Sequence, residues 1–137
     1  MILQSFRILI LFALGIVSLS CGHRPASATI EGEVVVDGTP LTKGFIAFVP
    51  ADSLGEPVTT SIENGRYRIV TTAGRKFVQI SAPVVVNRRK DSDAPDAAWI
   101  EVTQETIPPR YNAQTELTFD AQAVSIKKDW HLSVKKR

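Results

Sequence analysis

This sequence predicts an all-β fold, a single seven-stranded Greek-key-like β-sandwich, and three observations predict it. Short runs with period-2 alternation recur from Thr29 to Val134, and turn dipeptides such as Asp37-Gly38 and Asn64-Gly65 separate them. No stretch in that region sustains apolar residues at i, i+3, i+4 and i+7, so no amphipathic helix is expected to cover a sheet. Sheets that bury one face without helices do so against each other, in two layers.

Taken in order, Thr29 to Val36 places Ile30, Val34 and Val36 on one face and Glu31, Glu33 and Asp37 on the other, with Gly32 between. Asp37-Gly38-Thr39-Pro40 breaks that strand, because Gly38 admits backbone angles that a Cβ penalises and Pro40 pre-sets a turn. Lys43 to Val49 carries Phe45, Ala47 and Val49 on one side and Ile46 and Phe48 on the other, which predicts a central strand apolar on both faces and ended by Pro50. Val58 to Glu63 and Arg66 to Thr72 flank Asn64-Gly65, whose residues tolerate the two positive φ angles of a type I′ hairpin. Arg75 to Val86 reads as one long strand with an inner row of Val78, Ile80, Ala82, Val84 and Val86, and Pro83 marks an edge or bulge in it. Arg88 to Ala98 turns polar. A short alternation at Ile100 and Val102 follows, then Leu117 and Phe119 between polar neighbours, then a last strand with Val124, Ile126, Trp130, Leu132 and Val134 inward.

Ahead of this region lies a different kind of segment. Arg7 is the only charged side chain before Cys21, Ile8 to Val17 are apolar, and Ser18-Leu19-Ser20 supplies small residues, the three parts of a secretory signal. The uncharged stretch is shorter than the roughly 20 residues a helix needs to cross the bilayer, so it reads as a signal rather than a span. Cys21-Gly22 directly after it resembles the lipobox of bacterial lipoproteins, which implies cleavage before Cys21 and acylation of its thiol. The family's usual Leu and small residue are replaced by Ser18 and Leu19, and an ordinary signal peptide with an incidental cysteine is the alternative. The expected organisation is a signal over 1–20, lipidated Cys21 with a short tether containing His23 over 21–28, and one domain over 29–137, a usual single-domain size.

Composition narrows the function. A formal charge of +2 on 137 residues is far from the basic balance of a nucleic-acid binder, so no nucleic-acid partner is expected. The single cysteine rules out an internal disulfide, leaving an exported domain to its own core.

The run Val35-Val-Asp-Gly-Thr-Pro-Leu-Thr-Lys-Gly44 resembles the opening of carboxypeptidase regulatory-like domains, and Glu63-Asn64-Gly65-Arg66-Tyr67 resembles that family's second hallmark. Ile107-Pro108-Pro109-Arg110-Tyr111-Asn112 leading into Thr115-Glu116-Leu117-Thr118 is similar to a version found in short planctomycete-type envelope lipoproteins. The resemblance implies a transthyretin-like sandwich and supplies no biochemical activity, and no cofactor is expected. That fold also hosts a 5-hydroxyisourate hydrolase, but the terminal Tyr-Arg-Gly-Ser it needs is replaced here by Val134-Lys135-Lys136-Arg137. His131 alternates outward, and general acid–base work needs positioned partners that the sequence does not display, so no catalytic residues are expected. Asp91, Asp93 and Asp96 lack the spacing and the glycine of a calcium loop and read, beside Arg88-Arg89-Lys90, as a solvated connection, so no metal is expected.

Candidate contacts are therefore Trp99 and Tyr111, amphipathic rings able to stack on a sugar or anchor a partner, with Tyr111 alternatively pinning its loop to the sheet and Trp130 assigned to the core. Gly38, Pro40, Asn64 and Gly65 are expected to serve turns only. The function expected is a membrane-anchored envelope lipoprotein with a non-catalytic structural or interaction module. The partners expected are the membrane through Cys21 and an envelope protein or glycan. A carbohydrate-binding module is the alternative, and a small hydrolase the more distant one.

Overall fold

The structure, a computed structural model, describes residues 26–134; the signal segment, Cys21, His23 and the terminal Lys135-Lys136-Arg137 lie outside the described residues. Strand β1 (Ser27–Val36) is the organiser, because it takes partners on both sides. It turns at Asp37 and Gly38, both at positive φ, into the two-residue edge strand β2 (Thr39–Pro40). Three strands follow as a meander: β3 (Lys43–Pro50), β4 (Val58–Glu63) and β5 (Arg66–Thr72). β5 then lies antiparallel against β1, with Ile30 opposite Ile69 and Gly32 opposite Tyr67. The order β1-β5-β4-β3 is a Greek key, as expected from the strand pattern.

β4 and β5 are registered only at Glu63 and Arg66 beside their hairpin turn. Beyond that point they diverge, and the sheet closes over itself into two walls. One wall holds β1, β2 and β5 with β10 (Ser125–Lys127) and β11 (Trp130–Leu132), both parallel to β1. The other holds β4, β3, β6 (Gly74–Ser81) and β9 (Thr118–Ala121). Ile30, Val34, Tyr67 and Ile69 from the first meet Ile46, Phe48, Ile62, Val78 and Ile80 from the second, each at most 4% exposed. Burying each such side chain contributes about 1.5–3 kcal/mol. The Phe48 ring lies 6.4 Å from Tyr67, and Phe119 lies 6.4 Å from Trp130, so aromatic pairs tie the walls together.

Three expectations are corrected. The strand expected over 75–86 stops at Ser81, and Val84 and Val86 are 46% and 53% exposed rather than core. Ala82 leaves the sheet because its polar groups are satisfied elsewhere. Its N–H donates to Glu105 Oε1 (2.8 Å) and its carbonyl accepts from Thr106 Oγ1 (2.7 Å). Pro83, without an N–H, then opens a separate ribbon of β7 (Pro83–Lys90) and β8 (Trp99–Glu105). The last strand is likewise two, interrupted at Lys128-Asp129, and Val124 is exposed. There Asp129 Oδ1 accepts from the Glu33 N–H (2.9 Å) and Lys128 N–H donates to Glu31 O. A Cβ at Gly32 would stand 1.9 Å from the Lys128 carbonyl oxygen, so only glycine allows this approach. Finally, β3 is central but not buried on both faces: Phe45 points out and is 48% exposed. With these two splits, the edge strand β2 and the ribbon strand β8, eleven strands rather than seven occur among the described residues.

Candidate functional site

Among the described residues the β7–β8 ribbon is paired only with itself, and it is joined to the sandwich at its base. All eight residues of β7 are exposed. Registered pairs share a face, so Lys90 and Trp99 lie together, and Arg88 and Glu101 lie beside them. The next face over carries Val84, Ile100 and Val102, with Arg89 opposite Ile100. One register irregularity between Val85 and Asn87 leaves Val86 as an extra residue, a β-bulge that twists the ribbon. The Arg88 guanidinium donates to Glu101 Oε1 at 2.6 Å, an exposed ion pair worth about 0.2–1 kcal/mol and thus a local brace.

Trp99 is the first residue of β8 and is 67% exposed, its indole displayed where the ribbon meets the connecting loop. That loop holds Asp91, Asp93 and Asp96, all exposed, and closes by a bond from the Asp91 N–H to the Ala98 carbonyl. Lys90 Nζ reaches the Pro95 carbonyl at 3.5 Å. Trp99 thus stands opposite Lys90, next to the Arg88–Glu101 pair and at the foot of a loop with three exposed aspartates.

Tyr111 sits elsewhere and is engaged. It ends a short 3₁₀ turn, η1 (Pro109–Tyr111), is half-buried, and its hydroxyl accepts from the Ser133 N–H at 3.2 Å. The Arg110 guanidinium lies 4.9 Å from the centre of that ring and donates to the Ser133 carbonyl. The pair pins the loop after Pro108 to the end of β11, the packing role that was the alternative for Tyr111. His131 is exposed on β11, opposite Val35. The structure therefore does not gather Trp99 and Tyr111 into one site.

The turn residues meet each other. Asn64 and Gly65 both have positive φ, the Gly65 N–H donates to the Leu41 carbonyl, and the Gly65 carbonyl accepts from Val34. A Cβ on Gly65 would lie 2.7 Å from the Pro40 Cβ. Pro40 itself stands in β2, opposite Val35, after the two turn positions taken by Asp37 and Gly38. Tyr67, leaving this hairpin, buries its ring and donates its hydroxyl proton to the Lys128 carbonyl at 2.7 Å while accepting from Trp130 Nε1 at 3.1 Å. Burial above all, opposed by the Trp130 bond and reinforced by the Asp129 carboxylate, pushes its hydroxyl up to about 12.

The sequence places Val84 and Val86 in the inner row, where the structure leaves them exposed, and gives no sign of the burial of Lys76. Lys76 occupies the inner position one step before Val78, only 2% exposed, and Nζ donates to Thr72 Oγ1 at 2.8 Å. The continuous Val-Val-Val run was the one available signal for the ribbon, since alternation breaks there. Among the described residues no three histidine, cysteine or acidic side chains converge as metal ligands would.

No protein-family model matches the chain, and no curated protein matches it. Among solved structures it is similar to the dioxygenase domain of a dioxygenase carbohydrate-binding protein fusion from the cellulolytic bacterium Streptomyces sp. SirexAA-E. Identity is 17%, the TM-score is 0.39, and the match covers 85% of this chain and 86% of that one. At that distance the likeness bears on neither activity nor ligand.

Proposed function

We propose that this chain is an exported lipoprotein, anchored through acylated Cys21, that presents a non-catalytic sandwich of the carboxypeptidase regulatory-like type as an interaction module in the cell envelope. The observation that carries this reading is the β7–β8 ribbon. A two-stranded hairpin is marginal in water by itself, yet this one holds Trp99, Val84, Val85 and Val86 clear of the core. An exposed tryptophan flanked by Lys90, Arg88 and Glu101 is the kind of residue that anchors binding hot spots. Two acyl chains at Cys21 support firm anchoring, since each buried methylene contributes about 0.8 kcal/mol.

The test is retention of the Cys21→Ser chain, which has no thiol to acylate, on a washed bacterial envelope fraction. Trp99→Ala is expected to lower the retained affinity tenfold or more, a change of about 1.4 kcal/mol. Leu54→Ala, at a site 76% exposed in another loop, is expected to change nothing. Equal retention of the Trp99 variant and the parent contradicts the assignment.

The exposed indole also favours a second reading, a glycan as the partner. Trp130 is 6% exposed and Trp99 67%, and the chain has two tryptophans, so fluorescence quenching by a soluble oligosaccharide reports on Trp99 directly. Saturable quenching, lost in Trp99→Ala, is the result expected of a glycan module.

A further inference from the structure

We propose that the outer face of the β4–β3–β6–β9 wall docks a second copy of this chain. Strand alternation and register place Phe45, Ala47 and Val49 of β3 on that face, beside Ser61 and Thr59 of β4 and Ser81, Gln79 and Phe77 of β6. Thr118 of β9 stands opposite Phe77. Phe45 is 48% exposed and Phe77 41% exposed, although both flank fully buried positions on the inner face. The middle of the face carries no charged side chain. Its two ends do: Lys43 is opposite Glu63 at one, and Arg75 is opposite Asp120 at the other.

That arrangement is self-complementary. A two-fold axis that reverses strand direction brings the Lys43–Glu63 end of one copy toward the Arg75–Asp120 end of the other, and each end offers both signs. The chain's formal charge of +2 gives two copies little reason to repel. The rings are phenyl rather than indole or phenol, so they have no polar tip to keep wet, and the neighbouring Ser, Thr and Ala side chains are short enough for close sheet stacking. Both features favour a dry protein face over a sugar. Four strands about 4.8 Å apart and about seven residues long make a patch of about 19 by 23 Å. This is below the roughly 800 Å² per partner of a stable complex, so the dimer is weak and concentration-dependent.

This face lies apart from Trp99, and the experiment separates the two. In the full chain carrying Cys21→Ser, Ala47→Cys is expected to form an intermolecular disulfide under mild oxidation, because Ala47 lies near the centre of the face. Val70→Cys, 56% exposed on β5 in the opposite wall, is expected not to. Sedimentation equilibrium of the Cys21→Ser chain is expected to show a doubling of mass with concentration, abolished by Phe45→Ser with Phe77→Ser and untouched by Trp99→Ala. Circular dichroism of the double variant checks that it folds. A monomer at every concentration with no preferential Ala47→Cys cross-link overturns the proposal. So does a monomer that instead binds insoluble peptidoglycan or cellulose in a Phe45- and Phe77-dependent way, which would make this a glycan face.

Discussion

Tyr67 shows how one side chain closes the molecule. It enters β5 directly after the Asn64-Gly65 turn, its ring packs on Phe48, and its hydroxyl joins Lys128 and Trp130 across the break between β10 and β11. The folded state favours the neutral phenol, because its titration is raised from 10 to about 12. A raised value means that this stabilisation is fully present below pH 10 and is lost as pH climbs through about 12, a span of about 2 to 3 kcal/mol. Urea unfolding from pH 9 to 12 is expected to show that loss in the parent. In Tyr67→Phe the alkaline decline is expected to be smaller by about that amount, on a baseline lower by about 1–3 kcal/mol from the lost hydrogen bonds. An unchanged alkaline slope in the variant contradicts the role given to the hydroxyl.

At the scale of elements, β7 and β8 stand apart from the rest. Their pairing is with each other, every residue of β7 is exposed, and among the described residues no second layer covers them. Backbone amides of Val84 to Lys90 and of Ile100 to Glu105 are therefore expected to exchange with deuterium at least tenfold faster than those of β3 and β6, because the hairpin opens without unfolding the core. Equal protection throughout would mean that the ribbon is part of the cooperative core. The same elements show where the sequence was legible. Ile30, Val34, Ile46, Phe48, Val78 and Ile80 alternate as half-buried strands do, and the Asn64-Gly65 hairpin follows from local turn chemistry. The break at Ala82 was not legible, because it depends on Glu105 and Thr106, more than twenty residues away, satisfying its N–H and carbonyl. The gap between β10 and β11 likewise rests on Gly32 and Tyr67, distant in the chain. Of the candidate contacts, the exposure of Trp99 and the pinning of Tyr111 turn on tertiary placement, which ring chemistry alone does not distinguish.

For the whole molecule, the two walls enclose one core and the ribbon stands exposed outside it; the proposed contact role of the ribbon and the proposed anchor at Cys21 would together set where the module works. If Cys21 is acylated as proposed, the few residues between it and β1 would keep the sandwich near the membrane, and an envelope partner would be met there. The most direct measurement is the intact mass of the chain recovered from membrane and soluble fractions of an expressing bacterium, beside a Cys21→Ser control. The account expects a membrane-bound species that begins at Cys21 and carries acyl mass, absent from the control. An unacylated species in the soluble or secreted fraction would contradict it and leave a diffusible binding domain.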